Sequence, residues 1–341
     1  MKKGFRLRTI FNFLIFISLI CLTYYVIFRG QNINEIIRII RDSNKVYLSL
    51  GVILMFCYFY MEAFNVKNIL RVLGDNISIF KSLKYTFIGY FFSSITPAAS
   101  GGQPVEIYYM NKEKVNGANA TLALLIHLCS FQIVTIVIGI ICAIINYDML
   151  KDGFIYLFII GTSLNFIALS IMMVCIFSKR LATFFVNAIC AILEALRFKK
   201  LDNKKEDILN SIDKYHDGSI FIRNHKIEFL KSILRVVIQV IFYYSVPYFV
   251  YRSFGLTAYS LIDMFTIQAV LFISVSSIPL PGAIGISESA FLNIYRTIYG
   301  ELLLSGAMLL SRCISFYLFV VISLIIVVFN MAKHIKSNKE E

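Results

Sequence analysis

An apolar stretch from Phe80 to Met110 is interrupted by Thr96-Pro97-Ala98-Ala99-Ser100-Gly101-Gly102-Gln103-Pro104. A second stretch, from Leu261 to Tyr299, is interrupted by Pro279-Leu280-Pro281-Gly282-Ala283-Ile284-Gly285. Proline and glycine both disfavour helix, so each stretch is expected to break at these residues. Each half is too short to cross a bilayer alone, because a crossing takes about 20 apolar residues. The sequence therefore predicts two broken helical hairpins.

The sequence as a whole has the composition of an integral membrane protein. Its 341 residues are 58% hydrophobic and 16% charged, with a mean hydropathy of +0.76, whereas soluble domains are roughly 25% charged. Six further runs are long enough to cross a bilayer: Thr9–Phe28, Val46–Val66, Ala120–Asn146, Phe154–Phe177, Phe229–Tyr251 and Leu302–Phe329. We predict an all-α polytopic membrane protein with six full transmembrane helices plus two re-entrant or broken hairpins.

The basic residues set the expected orientation. Eleven lysines and arginines lie between Ser178 and Lys231, and such loops stay in the cytoplasm. A single crossing by residues 80–110 would move this loop outside, so the first hairpin is predicted to enter and leave on the cytoplasmic face. The second is predicted to open outward, as a hairpin or as a bent pair of spans. Both termini are then cytoplasmic, and the net charge of +13 reflects loops and not nucleic-acid binding.

The two broken stretches resemble each other. Ser93-Ser94-Ile95-Thr96-Pro97 precedes the first pair of glycines, and Ser276-Ser277-Ile278-Pro279 precedes the second. Because the spans before them run in opposite directions, the pattern predicts an inverted-topology repeat with its substrate site where the breaks meet. We predict one domain over 1–341, with repeats at about 9–146 and 154–330 and an amphipathic cytoplasmic loop at 178–228.

Irregular backbone inside a membrane is tolerated where protein buries it or where it lines a cavity. Free N–H groups at such helix ends suit an anion such as a lipid phosphate, and intramembrane ionisable residues are functional candidates by default. The candidate lipid-binding or gating residues are Gly101, Gly102, Gln103, Pro104, Glu106, Pro281, Gly282, Gly285, Glu288 and Arg312.

Arg312 requires a partner inside the membrane, and Glu288, Glu106 and a lipid phosphate are the alternatives. His127 and Gln239 are expected to form hydrogen bonds between helices, and Glu62 to reach out of the membrane from near a helix end. The four histidines have no metal-site spacing, and nucleotide-binding and hydrolase motifs are absent from the sequence. We therefore predict no catalytic residues, no metal and no cofactor.

These two motifs, with Arg312 in the last span, resemble the lysylphosphatidylglycerol synthase transmembrane family over nearly the whole chain. The resemblance implies a flippase-like domain, as in the bacterial multiple peptide resistance factor but without that protein's C-terminal synthase domain. The family name implies phosphatidylglycerol lysyltransferase activity, for which no catalytic domain is expected here. The family often has Gly-x-Arg-Glu in its second motif, and Ser287 stands at the arginine position.

The resemblance implies movement of a phospholipid, such as lysyl-phosphatidylglycerol or another modified or anionic lipid, between the leaflets of a bacterial plasma membrane. It also implies a link to lipid metabolism and antibiotic resistance. The alternatives are a transferase with Glu106 or Glu288 as base, or an accessory subunit in envelope modification. A separate lipid-modifying synthase and homo-oligomerisation are left open as partnerships.

Overall fold

The computed structural model describes residues 33–147, 154–177 and 224–340, with the isolated positions 18, 25, 220 and 221. Every regular element within these residues is helical. The predicted first span, Thr9–Phe28, lies outside the described residues apart from two positions, as do the loop at 148–153 and most of the loop at 178–228.

The described residues form eleven α-helices: α1 Ile33–Asp42, α2 Lys45–Val72, α3 Ile79–Ser94, α4 Gly102–Lys112, α5 Gly117–Ile145, α6 Phe154–Phe177, α7 Lys226–Ser253, α8 Leu261–Val275, α9 Ile286–Ile294, α10 Arg296–Arg312 and α11 Leu318–Glu340. Short 3₁₀ turns at Pro97–Ala99 and Pro281–Ala283 occupy the two breaks. A π-helical segment, Cys313–Tyr317, joins α10 to α11.

Five helices in the described part of the chain are long and apolar enough to cross a membrane. They are α2, α5, α6, α7 and the segment Arg296–Asn330, which contains α10, with a non-helical kink at Gly300, and α11 up to Asn330. They coincide with five of the six predicted spans. Their outer faces carry large apolar side chains; Ile144 is 72% and Phe329 is 74% exposed. Exposure of this kind fits lipid as the surrounding solvent, so the chain is a multi-pass membrane protein.

The two hairpins form where the proline and glycine pattern predicted them. The first pairs α3 with α4, which have 16 and 11 residues. The second pairs α8 with α9, which have 15 and 9 residues. All four arms are shorter than the roughly 20 residues of a full span, and the two arms of each hairpin pack against each other.

The spans around the hairpins pack reciprocally. Helices α2 and α7, which precede the two hairpins, pack extensively against each other. Arm α3 of the first hairpin packs on α11, the last helix of the chain's second half. Arm α8 of the second packs on α5, the helix that follows the first. Each hairpin thus contacts spans from both halves of the chain.

Close approach of α6 fixes the end of arm α8. A Cβ added at Gly161 would overlap the backbone carbonyl of Ser274, so only glycine lets the two helices lie this close. Asn165 Nδ2 donates to Ile273 O at 3.1 Å and to Ser276 Oγ at 3.0 Å. Small residues and interhelical hydrogen bonds are the usual means of helix association in lipid, where burial of apolar surface gives little driving force.

The base of the first hairpin is anchored by Glu113, just after α4. Lys84 forms an ion pair with its carboxylate, and Tyr85 Oη donates to Oε2 at 2.8 Å. Partial burial acts to raise the pKa of Glu113, but the hydrogen bonds from Lys84 and Tyr85 outweigh it, and the pKa lies below its ordinary value. The ionised carboxylate therefore ties α3 to the end of α4.

Candidate functional site

The two breaks begin alike. Each opens with a proline, Pro97 or Pro281, preceded by a residue in extended conformation. Each closes on an alanine in the left-handed region, with φ of 53° at Ala99 and 50° at Ala283. An alanine there costs about 1–2 kcal/mol, and such strain persists where the surrounding structure imposes it. The two turns contact each other.

Two cavities adjoin these turns. The first, which we call the arginine cavity, has a volume of about 300 Å³ and is lined by Gly282, Ser287 and Arg312 among others. The second, the glutamate cavity, has a volume of about 390 Å³ and is lined by Glu62, Gln103 and Glu106 among others. Four residues line both cavities: Tyr58, Tyr90, Ser93 and Ala99. The cavities are therefore neighbours, separated by side chains from α2, α3 and the first turn.

Arg312 is held by the second break. Its Nε donates to Glu288 Oε1 at 2.8 Å, and its terminal nitrogen donates to Gly282 O at 3.1 Å. The Glu288 side chain is fully buried, and the Arg312 side chain is 12% exposed. Of the three partners that the sequence left open for Arg312, Glu288 is the one that forms the ion pair.

The Glu288 carboxylate is also bound by its own helix. The Gly285 N–H donates to Oε2 at 2.7 Å, and the Ser287 hydroxyl donates to the same oxygen at 3.1 Å. Tyr317 Oη donates to Oε1 at 3.2 Å. Glu288 thus caps the N-terminus of α9, the end at which a helix dipole favours negative charge. Ser287 supplies a hydroxyl to this network.

The glycines of the two breaks lie in close contact with other residues of the protein. At Gly282, with φ of 58°, a Cβ would overlap the Phe316 ring, over which the Arg312 guanidinium lies at 4.5 Å. At Gly102 a Cβ would overlap Ser93, and one at Gly101 would lie 2.7 Å from Thr96 Cγ2. The sequence made these glycines candidates for lipid binding or gating. In the structure they allow close packing of each turn on its neighbours.

Glu106 has a different setting from Glu288. It lies nine residues after Pro97, on the second turn of α4, whereas Glu288 lies seven residues after Pro281 at the start of α9. It is 5% exposed, and its Oε1 accepts no hydrogen bond. Its carboxylate lies against Gly89, where a Cβ would be 2.7 Å from Oε2. The two motif glutamates are therefore not equivalent.

The other predicted residues divide between the two breaks. Gln103 lines the glutamate cavity with Glu106, while Pro104 is exposed in the first turn of α4. Pro281 is buried at the start of the second turn, and Gly285, with φ of 88°, donates to Glu288. Among the candidate residues from Pro281 to Arg312, only Gly282 and Arg312 line the arginine cavity.

Glu62 corrects an expectation from the sequence. Helix α2 continues to Val72, so Glu62 lies ten residues from its end and not near it. Its Oε2 accepts a hydrogen bond from Gln239 Nε2 at 3.2 Å, and it lines the glutamate cavity. The apolar run seemed to end at Val66, but the polar residues that follow belong to the same helix.

A buried hydrogen-bond network links three spans beside this cavity; the sequence predicted an interhelical role for His127 but not its partners. Asn65 Nδ2 donates to His127 Nδ1 at 3.0 Å and to Ser232 Oγ at 2.9 Å. Ser232 and Ser130 hydroxyls lie 2.9 Å apart. One sequence feature could have indicated this network. Glu62 and Asn65 are one helical turn apart and therefore share a face of α2.

Comparison with known families gives one finding. The family model described as "Lysylphosphatidylglycerol synthase TM region" matches residues 10–323, the transmembrane region of that family. No catalytic domain is evident in the chain. A comparison with curated proteins finds no match.

Proposed function

Because the chain belongs to the lysylphosphatidylglycerol synthase transmembrane family, we propose that it moves phospholipid headgroups between leaflets through the two adjoining cavities. The observation that carries the proposal is the contact between the two broken turns, with cavities on both sides that share Tyr58, Tyr90, Ser93 and Ala99. A polar headgroup needs such an interior passage, while its acyl chains stay among the exposed apolar side chains in lipid.

The proposal includes an inverted repeat. Support comes from the reciprocal packing of the hairpins and from the matching start and end of the breaks at Pro97–Ala99 and Pro281–Ala283. Transporters built in this way place substrate where the broken helices meet, and alternate access by moving one half against the other. Because the two turns contact each other, we expect the two halves to move against each other there.

Arg312 is the anion-binding group in this proposal. Its pairing with Glu288 keeps the arginine cavity free of net charge while no lipid is bound. A lipid phosphate entering the cavity shares the guanidinium with Glu288, since the guanidinium carries five N–H donors. We place the protein in the bacterial cell membrane with both termini cytoplasmic, and we propose as substrate lysyl-phosphatidylglycerol or another modified or anionic phospholipid.

The proposal predicts transport by the purified chain alone. Liposomes containing the protein and a trace of fluorescent phosphatidylglycerol, or its lysyl ester, should lose inner-leaflet fluorescence to an external quencher at least tenfold faster than protein-free liposomes. Liposomes containing an unrelated multi-pass protein control for leakage. Equal rates with and without the protein for every phospholipid tested would refute translocation.

A further inference from the structure

The glutamate cavity has an unusual charge balance. Two carboxylates line it, from Glu62 and Glu106, and among its described lining residues there is no lysine or arginine. His127 also lines it, and its Nδ1 lies 3.0 Å from Asn65 Nδ2. Arg312 lines the neighbouring cavity and is paired there with Glu288.

The carboxylate of Glu106 has unused hydrogen-bonding capacity. The residue is 5% exposed, and its Oε1 is buried and accepts no hydrogen bond. A buried carboxylate that lacks donors is strongly destabilising unless a cation or a proton compensates it. Glu62 accepts the Gln239 amide at 3.2 Å, which is a neutral donor. Neither acid therefore meets a positive charge from the residues that line the cavity.

The rest of the wall suits a cation with N–H donors. Tyr58, Tyr90 and Phe131 line the same cavity, and aromatic faces attract ammonium groups. The volume of about 390 Å³ far exceeds the space of one dehydrated metal ion and has room for an organic group. The cavity also contacts the first break through Ala99 and Ser100, so a molecule bound here would lie beside the proposed path.

We propose that the glutamate cavity binds a primary ammonium group between the carboxylates of Glu62 and Glu106. This inference rests on the translocation proposed above. It identifies the cationic part of the lipid headgroup that would be moved. The phosphate of the same headgroup then lies toward Arg312 in the adjoining cavity. Binding can be measured at equilibrium without transport, so the two proposals can fail separately.

The test compares two soluble headgroup analogues in an uncharged detergent. Glycerophosphoethanolamine carries the ammonium, and glycerophosphoglycerol has hydroxyls in its place. At constant ionic strength, maintained with tetramethylammonium chloride, the first should raise the thermal midpoint of the protein with an apparent affinity at least tenfold above that of the second. Sodium chloride replaces the tetramethylammonium salt in a third arm, to distinguish an ammonium site from a metal-ion site.

The variants locate the site. Glu106→Gln and Glu62→Gln should each lower the affinity for glycerophosphoethanolamine at least tenfold, because each removes one carboxylate. Glu301→Gln is the matched control, because Glu301 is 75% exposed and paired with Arg296 outside the cavity. The affinity of this variant for glycerophosphoethanolamine should equal that of the wild-type protein. The comparison of ligands on the wild-type chain remains decisive even if a variant fails to fold.

Three results would overturn the inference. Equal affinity for the two analogues would mean that Glu106 and Glu62 offer no charge, as when both are protonated. An equal response to sodium would make the cavity a metal-ion site. Retention of ammonium binding in a folded Glu106→Gln, Glu62→Gln double variant would move the site elsewhere. If the protein binds the ammonium analogue but moves lipid no faster than protein-free liposomes do, the ammonium site stands and only the proposed translocation is contradicted.

Discussion

Replacement of Arg312 by alanine is expected to destabilise the protein by about 3–5 kcal/mol, because it leaves a buried carboxylate without its counter-ion. Glu288 is fully buried, and among the described residues its cationic partner is Arg312. The same change removes the hydrogen bond to Gly282 O, which helps hold the second turn. Arg312→Ala should therefore loosen the turn and abolish lipid movement.

Thermal unfolding of the purified protein measures this effect. A maleimide dye that fluoresces on reaction with thiols reports unfolding, since Cys129 and Cys142 are buried in the folded chain. Arg296→Ala is the matched control, because its ion pair with Glu301 is exposed and such pairs contribute little. A Glu288→Gln, Arg312→Gln double variant should recover much of the loss. An unchanged midpoint in Arg312→Ala would contradict the role of the ion pair.

The second large effect is expected at Gly161. An alanine there would overlap the Ser274 carbonyl, which is backbone and cannot rotate aside as a side chain can. Overpacking of this kind costs about 1–3 kcal/mol, occasionally more. Separation of α6 from α8 would also stretch the Asn165 hydrogen bonds to Ile273 and Ser276, next to the second break. Stability and lipid movement should both fall.

Gly51→Ala is the control for this prediction. Gly51 also lies within a spanning helix, but an added Cβ would make an ordinary contact with Ile314 at 3.5 Å. Alanine is the better helix former by about 1 kcal/mol, so the Gly51 variant should unfold at the same temperature or higher. The same dye assay compares the two. Equal midpoints for the Gly161 and Gly51 variants would mean that α6 does not need its close approach to α8.

The sequence predicted the features that depend on local chemistry. Proline and glycine disfavour helix, and both are concentrated at residues 97–104 and 279–285, so the breaks could be located without tertiary information. The long apolar runs predicted the spans for the same reason, since each run meets lipid along its own length. Arg312 was recognisable as a candidate because an arginine inside an apolar span needs a partner.

Tertiary contacts determined what the sequence left open. Glu106 and Glu288 each lie nine residues after a motif proline, Pro97 or Pro279. The second turn, however, begins at Pro281, so Glu288 caps α9 whereas Glu106 lines a cavity. The partner of Arg312 was one of three until the fold placed α9 beside α10. Glu62 was misplaced because hydropathy indicated the end of an apolar run and not the end of α2 at Val72.

The most direct test of the account is whether obstruction of the cavities stops lipid movement. Ser100 is exposed and lines the glutamate cavity, so a tryptophan there should obstruct it without removing a charge. Ser289→Trp is the control, on the exposed side of α9 and outside both cavity linings. In the liposome assay, Ser100→Trp should lower the rate at least tenfold while Ser289→Trp keeps it. A folded Ser100→Trp protein that moves lipid at the wild-type rate would contradict a path through these cavities.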